Sequence, residues 1–126
     1  MVRLVALALV AALLVAAALV LRSGSRPPEP VRARDGRISV VMRDFRFQPQ
    51  RIRARPGRLT FALRNEGRLA HAFRLSTPSG GLVEHPSLKP GERATVTTRV
   101  KRGRYRMFDA LSNFEELGMY GTVEVR

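Results

Sequence analysis

Three titratable residues stand out by their settings: His71, His85 and Asp109. His71 sits in Leu69-Ala70-His71-Ala72-Phe73, at an inward position of an alternating apolar run. An imidazole there is either a core residue held by a hydrogen bond or a group that carries chemistry. Asp109 follows Tyr105 and Met107 at a position where the alternation expects another core side chain. A carboxylate on an inward strand position is costly unless something pairs with it. His85, in His85-Pro86, reads as an exposed loop residue. A histidine and an acid can act as an acid–base dyad where a fold brings them together, and spacing alone does not say that this one does. The rest of an active site is missing, because no Ser/His/Asp spacing, phosphate loop or paired carboxylates accompany them. Glu115-Glu116 are neighbours that need not face each other, and the expectation is that the chain is not an enzyme. The absence of Cys removes disulfides, Fe–S clusters, thiolate zinc sites and cysteine nucleophiles together.

These residues depend on a frame that repeats with a period of two. Ile38, Val40 and Met42 alternate, Phe45 and Phe47 follow, and Pro49 ends the run. Ile52 and Ala54 lead to the turn Arg55-Pro56-Gly57-Arg58, and Leu59, Phe61 and Leu63 to Asn65-Glu66-Gly67. After the His71 segment come a turn at residues 77–81, the turn Lys89-Pro90-Gly91-Glu92, and the set Ala94, Val96, Thr98 and Val100. Arg102-Gly103 precedes Tyr105, Met107 and Asp109, and residues 120–125 supply a last strand. Seven or eight short strands with Pro/Gly turns predict an all-β antiparallel sandwich or Greek-key barrel over residues 37–126. Helical periodicity is absent beyond residue 37, except for one turn near residues 114–117.

The chain has 126 residues, enough for one domain. Residues 4–21 form an 18-residue stretch without charge, Gly or Pro. At 1.5 Å per residue this makes a helix of roughly 27 Å, close to the hydrocarbon thickness of a bilayer. Residues 1–21 therefore read as a transmembrane anchor. The alternative is a signal peptide cut at Ala16-Ala17-Ala18 or Ser23-Gly24-Ser25. Residues 22–36 hold three Pro and two Gly among charges and read as a linker. Arg3 precedes the apolar run whereas Arg22, Arg26, Arg32, Arg34 and Arg37 follow it, which by charge alone keeps the domain cytoplasmic.

The net charge of +13 comes almost wholly from Arg, with Lys only at Lys89 and Lys101. The arginines alternate, as in Arg51, Arg53, Arg55 and in Arg102, Arg104, Arg106, which places them on the solvent face of strands. A basic surface of this kind suits an anionic surface or an acidic protein partner. Nucleic acid is not expected, because the Phe and Tyr residues fall at core positions and not in an exposed stacking row.

Several segments together resemble the cupredoxin family. Asp44-Phe45-Arg46-Phe47-Gln48-Pro49 with Pro56-Gly57 resembles its opening, and residues 61–67 followed by His71 resemble the strand and asparagine before its first copper-ligand histidine. Leu88-Lys89-Pro90-Gly91-Glu92 and Gly103-Arg104-Tyr105 are similar to its later turns, and residues 117–123 to its closing segment with the axial methionine. The resemblance implies a cupredoxin-like Greek-key β-sandwich working on the extracytoplasmic side, against the charge asymmetry, either anchored in the cell membrane or secreted.

The same resemblance implies a degenerate copper site. A blue-copper centre needs two His, one Cys thiolate and a weak axial Met. Carried over, His71 is the first histidine and Met119 the axial methionine, but Asp109 stands at the cysteine position and Phe114 at that of the second histidine. Asp109 is then expected to pair with a His71 imidazolium while Phe114 fills the space of the lost ligand. The expected function is a non-redox binding or structural module without a cofactor. The alternative is a weakly bound divalent metal ion on His71, Asp109 and Met119, with Glu115 or Glu116 added.

Overall fold

Period-two alternation builds ten strands behind one helix in the computed structural model of the chain, which describes residues 2–22, 24 and 27–126. The helix α1 covers Val2–Arg22, and the strands are β1 Val31–Arg32, β2 Arg37–Arg43, β3 Arg46–Gln48, β4 Arg51–Ala54 and β5 Gly57–Asn65. They continue as β6 His71–Ser76, β7 Leu82–Leu88, β8 Arg93–Val100, β9 Gly103–Phe108 and β10 Tyr120–Val125. One sheet has the order β1-β4-β10-β9-β6-β7 and the other β3-β2-β5-β8. The inward residues of both sheets interleave, with Phe73 packed against Phe61 and Phe47 at ring-centroid distances of 5.0 and 6.1 Å. Each such fully buried side chain stabilises the fold by about 1.5–3 kcal/mol.

Direction along the strands defines two ends. Strand β2 runs parallel to β5, bringing Met42 beside Asn65, and β9 runs antiparallel to β10, bringing Phe108 beside Tyr120. One end therefore gathers Asn65, His71, Asp109 and Met119. The other gathers the start of β2 and of β5 with the ends of β4 and β10, where Val125 pairs with Ala54.

The all-β sandwich matches expectation, but with nine strands over residues 37–126 in place of seven or eight, and β1 before them. Strand β7 runs through His85-Pro86, expected as a loop, and His85 is half-buried opposite Phe73. A proline fits there because β7 closes the edge of its sheet and Pro86 lies where its pairing with β6 shifts register. Residues 31–36, within the expected linker, carry β1, which pairs in parallel with β4, and then a tight turn. Asp35 and Gly36 both have positive φ, 49° and 68°, in a two-residue turn that closes the Arg34–Arg37 bridge. Residues 112–118 form successive turns, among them the single helical turn expected near residues 114–117, closed by Leu117 N donating to Asn113 O at 3.2 Å.

In α1 the described side chains are Val5 and those of residues 7–17, all exposed. Among the described residues no helix is long and apolar enough to cross a membrane. Of the candidate cleavage positions, Ser23 and Ser25 lie outside the described residues.

Candidate functional site

Asn65, at the end of β5, is fully buried and sets the frame. Its Nδ2 donates to the carbonyl oxygens of Leu69 and Leu88, both at 2.8 Å, and its Oδ1 accepts from Gly67 N at 2.8 Å. Three satisfied bonds on one buried amide fix the path of residues 65–71 and deliver His71 to the start of β6. Leu69, expected inward, is 42% exposed, because the amides of Arg68 and Leu69 turn to the Asp44 carboxylate. A register shift between His71 and Phe73 then lets His71, Ala72 and Phe73 all be buried in succession.

His71 is fully buried, and each of its ring nitrogens meets a carboxylate. Nδ1 lies 2.8 Å from Asp109 Oδ2, and Nε2 lies 3.0 Å from Asp44 Oδ1. A neutral imidazole has one N–H and would turn a lone pair toward one of these oxygens; the imidazolium donates to both. The expected His71–Asp109 pair is formed, with a second acid beside it.

Asp109, buried at 1% exposure, uses its other oxygen to accept from Ala72 N at 3.2 Å and Leu111 N at 2.9 Å. Such hydrogen bonds are what allow an acid to be buried just past the end of β9. Asp44, in the turn between β2 and β3, accepts from the His71 ring and from the Arg68 and Leu69 amides. The His71 hydrogen bond leads in holding the Asp44 carboxyl below its usual 3.8, helped by those two amides and the His71 charge, and opposed by burial.

Phe114 packs on the imidazole, with ring centroids 5.3 Å apart, and Phe45 meets the far side of Phe114 at 5.5 Å. Phe45 holds a φ of 64°, a strained value for a bulky residue. Met119 is fully buried in the core, its N bonded to Phe114 O at 3.0 Å and its O to Asp109 N at 3.1 Å. The structure therefore gathers His71, Asp109, Phe114 and Met119 as expected. It leaves His85 in β7, paired with Phe73 and not with His71, and Arg106 takes Glu115 at 2.7 Å.

Asp44 and Gly67 are the residues that sequence reasoning missed. A Cβ on Gly67 would collide with Asp44 Oδ1 and stand 3.1 Å from His71 Nε2, so the glycine is what admits the second acid. The available signal was an acid in the short turn Arg43-Asp44-Phe45-Arg46, since Asp in turns commonly captures nearby amides. Among the described residues no group of three His, Cys, Asp or Glu is placed to hold a metal ion.

A family model described as "Cupredoxin-like domain" matches residues 5–123. Among solved structures the chain is similar to a reduced auracyanin from the photosynthetic bacterium Roseiflexus castenholzii. That match has a TM-score of 0.67 and 14% identity, and covers 73% of this chain and 98% of that one. An amicyanin mutant in its reduced Cu(I) form matches with a TM-score of 0.57 and 20% identity, over 75% of this chain and 86% of that one. A purple cupredoxin from Nitrosopumilus maritimus matches with a TM-score of 0.53 and 16% identity, over 70% of this chain and 98% of that one. At such identities the likeness is one of fold. No curated protein sequence matches the chain.

Proposed function

The chain belongs to the cupredoxin-like domain family, and from that membership we propose that it is a non-redox binding or structural module tethered to a membrane, with its β-domain on the extracytoplasmic side. The observation that carries the reading is the state of His71. Both ring nitrogens are engaged by carboxyl oxygens at 2.8 and 3.0 Å, so neither faces an open position.

Copper, held by the amicyanin relative, does not fit these residues. A blue-copper site is made by thiolate sulfur and two imidazoles. This sequence has no Cys, and Phe114 stands where the second imidazole would be. Met119 by itself is a weak, soft donor. What remains at this corner is a buried ionic cluster that holds β6, the end of β9 and the β2–β3 turn in fixed relation, a role served by unchanging charge and not by redox cycling.

The tether rests on residues 4–21, without charge, Gly or Pro, within the helix Val2–Arg22. Placement outside the cytoplasm follows the family resemblance and not the arginine asymmetry.

The test is a titration of the full chain with Cu(II), Cu(I) and Zn(II), followed by calorimetry and absorbance. We expect no stoichiometric binding tighter than micromolar. Such binding, abolished in His71→Ala, would replace this reading with a divalent-metal site on His71, Asp109 and Met119. Membrane extraction with surface proteolysis of intact cells tests the tether, which predicts a membrane-bound and externally cleaved domain.

A further inference from the structure

At the end of the sandwich opposite His71, a groove of about 910 Å³ lies between the two sheets. Arg32, Arg34, Arg53, Arg55, Arg58 and Arg126 line it, against a single acid, Asp35. Among the described residues, Arg32, Arg34, Arg55 and Arg58 make no ion pair, and all four are exposed. Glu124, on the neighbouring strand, is engaged by Arg126 at 3.3 Å and loosely by Arg53 at 3.8 Å. Arg53 is left short of acceptors, since its buried Nε has no hydrogen-bond partner.

The backbone forces these charges together. A Cβ on Gly36 would come within 2.5 Å of the Arg58 carbonyl oxygen, and Thr60 N donates to Gly36 O at 2.8 Å. The turn carrying Arg34 is therefore locked against the strand carrying Arg58. Four cations without an ion-pair partner, gathered against the one lining acid, repel one another, and an anion with several oxygens in the groove relieves that repulsion.

We propose that this groove is a binding site for a phosphate group, which planar guanidinium forks recognise in bidentate fashion. The phosphate comes either from an anionic phospholipid headgroup or from a free phosphate ester. The first source is within reach, since β1, at the groove's edge, follows α1 by residues 23–30, at most about 28 Å of extended chain. The site does not depend on the reading of the His71 corner.

The test uses the full chain with arginine Nε–H resonances observed by NMR. Inorganic phosphate is titrated into the chain in neutral detergent, and in parallel the chain is placed in nanodiscs of phosphatidylcholine with and without phosphatidylglycerol. The Arg53 Nε–H resonance is expected to shift on saturation. Arg55→Gln with Arg58→Gln should weaken the response by about tenfold or more, while Arg46→Gln with Arg93→Gln, which removes equal charge elsewhere, should not. A response to phosphate alone assigns a soluble ester, and one confined to anionic nanodiscs assigns the headgroup. No response in either arm, or equal weakening by both double variants, overturns the site.

Discussion

Asp44 Oδ1 lies 3.0 Å from His71 Nε2, at the ring nitrogen opposite the one that Asp109 occupies. The two acids differ in setting, for Asp109 is buried whereas the Asp44 side chain is 26% exposed. Asp44 thus closes the cluster toward solvent and Asp109 closes it toward the core.

That position gives Asp44 a pH signature. Its carboxyl is held below 3.8 in the folded chain, first by the His71 hydrogen bond. A group whose folded value is depressed contributes stability that is present above the unfolded value and lost as pH falls through the folded one. The urea midpoint of the native chain should therefore fall as pH drops from about 4 toward about 2, and this fall should be shallower in Asp44→Asn. Parallel pH profiles for the two proteins would remove Asp44 from the cluster.

Asp109 should be the more costly residue to lose. Asp109→Ala leaves His71 Nδ1 and the amides of Ala72 and Leu111 without their partner. Removing one partner of a buried ion pair costs about 3–5 kcal/mol. Asp109→Asn keeps an oxygen for the amides and should cost less, about 1–3 kcal/mol. Denaturant unfolding measures both, and an Asp109→Ala protein within about 0.5 kcal/mol of the native one contradicts the pairing.

The Asp109–His71 contact was legible through the cupredoxin resemblance, in which the positions of these two residues converge on one metal; the inward acid by itself called only for some partner. The sandwich was equally legible, since Ile38, Val40 and Met42 or Leu59, Phe61 and Leu63 announce their faces by alternation. Strand β7 was hidden by Pro86, whose edge placement depends on strand order, which no local pattern reports. Strand β1, two residues long, was hidden by the composition around it. Asp44 stayed invisible because its partner is 27 residues away, and only the packed position of Gly67 brings the two together.

Gly67→Ala tests that last dependence. The added methyl would occupy the place of Asp44 Oδ1, and the carboxylate would have to leave His71. The expected loss is about 1–3 kcal/mol, combining local overpacking with an unmade bond. In an Asp44→Ala background the same change should cost clearly less, because the obstructed group is gone. A double-mutant cycle reads this directly, and additive costs would mean that Gly67 serves only its own turn.

Asp109→Cys and Phe114→His together should create a copper site at this corner. His71 Nδ1 is the nitrogen that faces residue 109, at 2.8 Å from the Asp109 carboxylate. A thiolate introduced by Asp109→Cys would therefore stand beside a ring nitrogen, and an imidazole introduced by Phe114→His would start from a ring already 5.3 Å from His71. Met119 is fastened by its backbone to both positions. The double variant Asp109→Cys with Phe114→His should bind Cu(II) with an intense visible thiolate-to-copper absorption, since it restores the His₂Cys set beside the methionine. Asp109→Cys alone lacks the second imidazole and should give at most a small fraction of that intensity, and the native chain none. A double variant that folds, by circular dichroism, yet shows no such band would mean that the corner has drifted too far from copper geometry to be rebuilt by two substitutions.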